Sequence, residues 1–230
     1  MPLDPITSDL LALDLPGVTP SRQKRSRETT VALLQAGAEM LRTRSLDDIS
    51  IEALCAEVDA TVGAFYSRFD SKEVYFNALL ELAARDGSVR LARITSVEEM
   101  SLAELCHGLV RDITAWMRAH EGVARAALQH GDTRPARWTR FKELGRRTTV
   151  EATPPLLRAM GKGRTAAKAR AIGFGFQVVF GTLVNAVLND PGPLSIRDAE
   201  MVERLSRCLL QLLEVEADVV DTAKTKRKTR

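Results

Sequence analysis

Apolar residues recur at three- and four-residue intervals along most of the chain, and the breaks between runs divide it into helices of very unequal length. Val31, Leu34, Ala38 and Leu41 predict a first helix over about residues 26–43. Ser50 is a good N-cap, and Ile51, Leu54, Cys55 and Val58 behind it make one apolar face of a short second helix. Asp59-Ala60 forms the turn, and Thr61 is placed to cap a third helix whose Phe65 and Phe69 point into a small core. Asp70-Ser71-Lys72-Glu73 marks the start of a longer fourth helix, with Asp70 and Glu73 at capping-box spacing, running to about Arg93. Ahead of all these, residues 1–24 carry Pro2, Pro5, Pro16, Gly17 and Pro20 without a period, which predicts a disordered arm.

The second half is helical too. Ser101 and Glu104 form another capping box and open a helix to about His120, followed by a short one over 121–129. A helix over about 134–153 then meets Pro154-Pro155, which is expected to kink or restart it. Residues 165–189 are apolar nearly all round, and Asn189-Asp190-Pro191-Gly192-Pro193 stops them. A third capping box, Ser195 with Asp198, predicts a final helix to about residue 219. The most apolar run, 174–188, contains Gln177 and Asn185 and reads as too short and too polar for a bilayer span, so no membrane is expected.

Composition changes the picture in three ways. Apolar residues at 45% suffice for a real core, and aromatics at only 5% favour helices over sheet. The net charge is only +3, but five basic residues crowd the last seven positions, and Arg22, Lys24, Arg25 and Arg27 cluster near the N-terminus. Cys55, Cys106 and Cys208 lie far apart in apolar helical contexts and match no metal spacing. They read as reduced thiols, which suits a cytoplasmic protein without a signal peptide. Gly161-Lys162-Gly163-Arg164 lacks the spacing and preceding strand of a phosphate loop, and the three histidines fit no catalytic order. No enzyme, cofactor or metal site is expected.

The Ile51 and Leu54 spacing, the run Thr61-Val62-Gly63-Ala64-Phe65-Tyr66 and the following Phe69-x-Ser71-Lys72-Glu73 resemble the tetracycline-repressor (TetR) family over residues 29–79. Ser45 and Asp59 stand where glycines are usual, and Asp tolerates left-handed backbone well enough for the turn. The resemblance implies an all-α protein: a three-helix helix-turn-helix head at 25–75, joined by the fourth helix to a larger helical ligand and dimerisation domain at 76–220. Residues 1–24 and the basic 221–230 are then tails. It implies that Ser50 and Thr61 cap helices facing phosphates, and that Val62, Gly63 and Ala64 begin the recognition helix. Tyr66 and Lys72 match the family's phosphate-binding groups, with Ser67 and Arg68 as further contacts to double-stranded DNA. The basic N-terminal segment is either a minor-groove arm or a solvated tail.

Two further expectations concern the larger domain. Ala169, Gly173 and Gly181 form an interrupted small-residue ridge, and with Val202, Leu205, Leu209 and Leu212 of the last helix they predict a four-helix interface in a homodimer. Trp116, Met117, His120, Trp138, Phe141, Phe174 and Gln177 are candidates either for a pocket taking a small apolar or aromatic effector or for ordinary core. Repression at a palindromic operator is the family's common mode. A constitutive DNA binder without an effector, or a helical adaptor for a protein partner, are the alternatives.

Overall fold

The computed structural model describes residues 15–19, 23–95, 100–129, 135–161, 163 and 165–228, excluding the side chains of 95, 135, 136 and 216–228. Among them are nine α-helices: α1 (Lys24–Met40), α2 (Ile51–Ala56), α3 (Val62–Tyr66), α4 (Lys72–Thr95), α5 (Leu102–Ala119), α6 (Glu121–Leu128), α7 (Pro135–Ala159), α8 (Thr165–Asn189) and α9 (Ala199–Lys228). The fold is all-α, as expected. It divides into two compact units, one of Met1–Arg85 with His120–Trp138, the other of Asp86–Ala119 with Thr139–Arg230.

The first unit is built around an aromatic cluster. Phe65, Phe69, Tyr75 and Phe76 are buried, and the first three rings meet at centroid distances of 5.1–5.5 Å. Each such ring contributes roughly 1.5–3 kcal/mol by leaving water. Tyr75 also donates its hydroxyl to the Leu33 carbonyl at 2.7 Å, satisfying the one polar atom it buries. That approach requires Gly37, because a Cβ there would lie 1.6 Å from the Tyr75 oxygen.

This unit is larger than the expected head of 25–75. α6 packs on α1, and a Cβ on Gly122 would lie 2.4 Å from the Leu41 carbonyl, so only glycine allows the crossing. Arg137 near the start of α7 pairs with Glu73 on α4. Part of the expected arm is also docked. Leu15 is buried, Val18 forms an antiparallel bridge with Phe69, and the Thr19 N–H donates to the Arg68 carbonyl at 2.9 Å. Apolar burial and this one backbone bridge thus fix 15–19, while Leu10, Leu11 and Leu13 lie outside the described residues.

At the start of α4, Ser71 Oγ accepts the Val74 N–H at 3.1 Å, and the Glu73 carboxylate accepts from Arg137 Nε at 2.9 Å. The box at Ser101 and Glu104 forms in both directions, at 2.9 Å and 3.2 Å.

In the second unit α9 packs on α5 and on α8. Gly175 makes the α8–α9 crossing close, since a Cβ there would lie 2.5 Å from Leu209 Cδ1. α7 runs as one helix through Pro154 and Pro155, so of the expected kink or restart the restart does not occur. The prolines deprive the Val150 and Glu151 carbonyls of their usual donors, and both residues are exposed to solvent. Lys168 on α8 is buried and donates to the Met160 and Gly161 carbonyls at 2.7 and 3.0 Å, closing the C-terminal end of α7. α9 begins at Ala199 rather than Ser195, because Ser195–Asp198 form a turn in which Asp198 Oδ2 accepts the Ser195 N–H at 2.7 Å. Its backbone continues as helix to Lys228, past the expected boundary at 220.

By length and composition alone α8 is long enough and apolar enough to cross a membrane, longer than the 174–188 run suggested. Its buried side packs against α9 and α5 and includes Lys168, while Arg170, Gln177 and Asn185 are on other sides, as in a core helix.

Candidate nucleic-acid interface

α2 and α3 are both very short, six and five residues, and neither could hold itself together in water. Local capping and the aromatic core hold them. Ser50 Oγ accepts the Ala53 N–H and Thr61 Oγ1 accepts the Ala64 N–H, each at 3.0 Å. A capping hydroxyl of this kind contributes about 1 kcal/mol and keeps its own hydrogen to give to a phosphate oxygen. Between the helices the Ala60 N–H returns to the Cys55 carbonyl at 2.9 Å, and Asp59 takes φ 52°, the left-handed conformation expected of the residue in the usual glycine position. The buried Cys55 thiol donates to the Thr61 carbonyl at 3.5 Å, fastening the turn from inside.

α3 presents one open side. Thr61, Val62 and Gly63 are exposed, Ala64 half-buried, and Tyr66 and Ser67 exposed, while Phe65 and Phe69 are fully buried. Gly63 is informative because the fold does not need it: a Cβ there would meet only Thr61 Oγ1, at 3.8 Å. Glycine in a helix costs about 0.5–1 kcal/mol against alanine, so the chain carries that cost without an internal packing reason. Tyr66 is 51% exposed, yet its ring stands edge-on against Phe65 at 5.4 Å, which holds the phenol at the rim. Lys72, in the first turn of α4, donates from Nζ to the Asp47 carbonyl at 3.3 Å in an exposed contact.

Arg68 is placed differently from the outward contact expected of it. It is buried, and its guanidinium donates to the Ala64 carbonyl, Ser67 Oγ, and the carbonyl and hydroxyl of Ser26 on α1. The side chain reaches back to the Ala64 carbonyl, four residues earlier, and across to Ser26 on α1.

The other candidates are only partly brought together. Trp116 and Met117 are buried in the second unit, and Trp116 packs against half-buried Phe141 at 6.1 Å between ring centroids. His120 and Trp138 belong to the first unit. Phe174 and Gln177 are exposed on α8, so they do not line an interior; with one side of α8 taken by α5 and α9, both fall on the other. Of the expected dimer residues, Leu205 and Leu209 are buried within the chain's own bundle, and Val202 and Leu212 are half-buried. Gly173 and Gly181 have no atom within 4 Å of an added Cβ and face open space, with Ala169 half-buried beside them. Sequence reading missed Ser26, Arg137 and Gly37. Only the last, a glycine inside an apolar helical run, left a mark that could have been noticed.

Two short helices at a tight turn, the second offering a bare, small-residue side flanked by a phenol and an ammonium, define a helix-turn-helix DNA-binding head on an all-helical body. Residues 33–79 match the model of bacterial regulatory proteins, tetR family. The likeness to that family rests on the head, residues 33–79 of a 230-residue chain.

A putative TetR-family transcriptional regulator from Mesorhizobium loti superposes with a TM-score of 0.65 at 18% identity, over 86% of this chain and 98% of that one. A tetR-family regulator from Streptomyces coelicolor gives 0.63 at 17% identity, over 86% of each chain. Among curated proteins, the nucleoid occlusion factor SlmA of Idiomarina loihiensis is 29% identical over 105 residues, 46% of this chain. The match spans 52%, about half, of that relative's length.

Proposed function

We propose that the chain is a transcriptional repressor that binds a palindromic operator as a homodimer, reading bases with Val62, Gly63 and Ala64 and holding phosphates with Ser50, Thr61, Tyr66, Ser67 and Lys72. The observation that carries this reading is the open side of α3, where Gly63 stands bare without any packing need. A glycine there lets the backbone come close to base edges, and Val62 is placed to meet a thymine methyl. A homodimer fits the reading, because two heads would then address half-sites about one helical turn, roughly 34 Å, apart. The second copy is assigned to the exposed side of α8, where Phe174, Gln177 and Gly181 lie open.

Regulation completes the proposal. A small apolar or aromatic effector binding beside Trp116, Met117 and Phe141 shifts α4 and lowers operator affinity through its preference for one of two arrangements. The test is fluorescence anisotropy on selected duplexes. Tyr66→Phe and Lys72→Ala weaken binding to all sequences alike, Lys72→Ala lowers the salt slope by about 1, and Val62 substitutions change base preference. Unchanged binding in both Tyr66→Phe and Lys72→Ala would end the site assignment. A broad ligand library that never shifts operator affinity would leave a constitutive DNA binder.

A further inference from the structure

We propose that Arg68 is a positioning residue which sets the pose of α3 from inside the head, and that it makes no contact with DNA. The inference rests on the DNA-binding reading above and names how that same site is held.

The geometry is a fork between two helices. One arm of the guanidinium serves the last turn of α3, with Nη1 donating to the Ala64 carbonyl and, at 3.0 Å, to Ser67 Oγ. The other serves the first turns of α1, with Nε donating to the Ser26 carbonyl at 3.3 Å and Nη2 to Ser26 Oγ at 3.0 Å. Ser67 Oγ in turn donates to the Ala64 carbonyl at 2.9 Å, so the acceptors are cross-linked. The backbone of Arg68 is held as well, since its carbonyl accepts the Thr19 N–H at 2.9 Å and the next residue bridges to Val18. Side chain and main chain together tie α3 to α1 and to the segment 15–19.

This arrangement is an unusual choice for stability alone. Arg68 is more than nine-tenths buried, and among the described residues no carboxylate pairs with it. Burial accordingly pushes its pKa below the ordinary arginine value. Burying a guanidinium against neutral acceptors only is a costly way to fill space. What it provides is direction: a planar group with five donors fixes the angle and the rotation of a helix too short to fix its own. α3 carries Val62, Gly63 and Ala64 at one end and the Arg68 anchor just past the other, so a small swing at the anchor displaces every base-facing group.

The deciding experiment compares the full-length protein with Arg68→Lys on an operator selected by the wild type and on an unrelated duplex, each across a salt series. Lysine keeps the charge and cannot span both Ser26 and Ala64. The expected result is a loss of operator affinity of about tenfold or more, the size of one lost base contact. Affinity for the unrelated duplex and the slope of log K against log salt remain as in the wild type. Ser26→Ala, which alters only the α1 end, gives a smaller operator-specific loss, and its effect is non-additive with Arg68→Lys. A salt slope lower by about 1 with equal losses on both duplexes would make Arg68 a phosphate contact and overturn the proposal. Wild-type behaviour of Arg68→Lys, or strict additivity with Ser26→Ala, would overturn it too. If Arg68→Lys unfolds, Ser26→Ala alone decides, and wild-type operator binding in that variant refutes the fork. Failure of the wild type to bind any duplex removes the DNA-binding reading itself, a result distinct from all of these.

Discussion

The pair between Arg137 and Glu73 joins two residues 64 positions apart, and its asymmetry gives a sharp prediction. Arg137 Nε lies 2.9 and 3.1 Å from the two Glu73 carboxylate oxygens, Nη2 donates to one of them, and the guanidinium sits 4.9 Å from the centre of the Phe76 ring. The Arg137 side chain is 3% exposed and that of Glu73 is 43% exposed. Removing the acid therefore strands a buried cation, whereas removing the base leaves a carboxylate that water reaches. Breaking a buried pair from the side that leaves the buried charge costs about 3–5 kcal/mol, and residual attraction to the Phe76 face brings this to about 3. Losing charged hydrogen bonds to a half-exposed group costs about 1–2 kcal/mol. Glu73→Ala is thus expected to destabilise the first unit by clearly more than Arg137→Met, which keeps most of the aliphatic stem. Urea denaturation in a Trp116→Phe background, with Trp138 as reporter beside Arg137, measures both. Equal costs, or a larger cost for Arg137→Met, would refute the reasoning.

Other outcomes follow from the same packing. Gly37→Ala drives a methyl into the Tyr75 hydroxyl and costs about 2 kcal/mol or more; Tyr75→Phe recovers only part of it in a double-mutant cycle, because the ring carbon would still be 2.7 Å away. Burial also pushes the Tyr75 phenol far up, so the folded chain keeps it neutral while the unfolded chain ionises it near its ordinary value of about 10. Its contribution is therefore complete below about pH 10 and declines as pH rises further, which alkaline unfolding curves of wild type and Tyr75→Phe will separate. Gly181→Ala meets no atom of its own chain and stabilises the isolated protomer by a few tenths of a kcal/mol to about 1, but weakens self-association if a second copy packs there, as sedimentation will report. Burial pushes the Cys106 thiol up to about 12, so native alkylation near pH 8 labels the half-buried Cys208 well before it.

Local chemistry was legible in the sequence and long-range direction was not. Ser50, Thr61 and the Ser101–Glu104 box were readable because a cap needs only a hydroxyl or carboxylate three residues from an N–H. Asp59 was readable because few residues other than glycine take a positive φ easily. Glu73 had the same capping-box spacing, but nothing local announced that a buried guanidinium from α7 would pair with it. Among the small residues of α8, spacing marked Ala169, Gly173 and Gly181 as a ridge but could not say which side the bundle would use; Gly175 is the one that meets Leu209. Periodicity put Leu205 and Leu209 on a common apolar side, which was assigned to a second copy, whereas both are buried within their own chain. Arg68 was misdirected for a related reason: charge argues for the surface unless the acceptors waiting inside, here on Ser26 and Ala64, are known.

The most direct test of the central claim is selection of bound sequences from random DNA duplexes by the full-length protein at moderate salt. The expected result is enrichment of an inverted repeat whose half-sites are centred about one helical turn apart, with the enrichment lost in Tyr66→Phe combined with Lys72→Ala. Recovery of unselected sequence, or of a motif retained by that double variant, would contradict it.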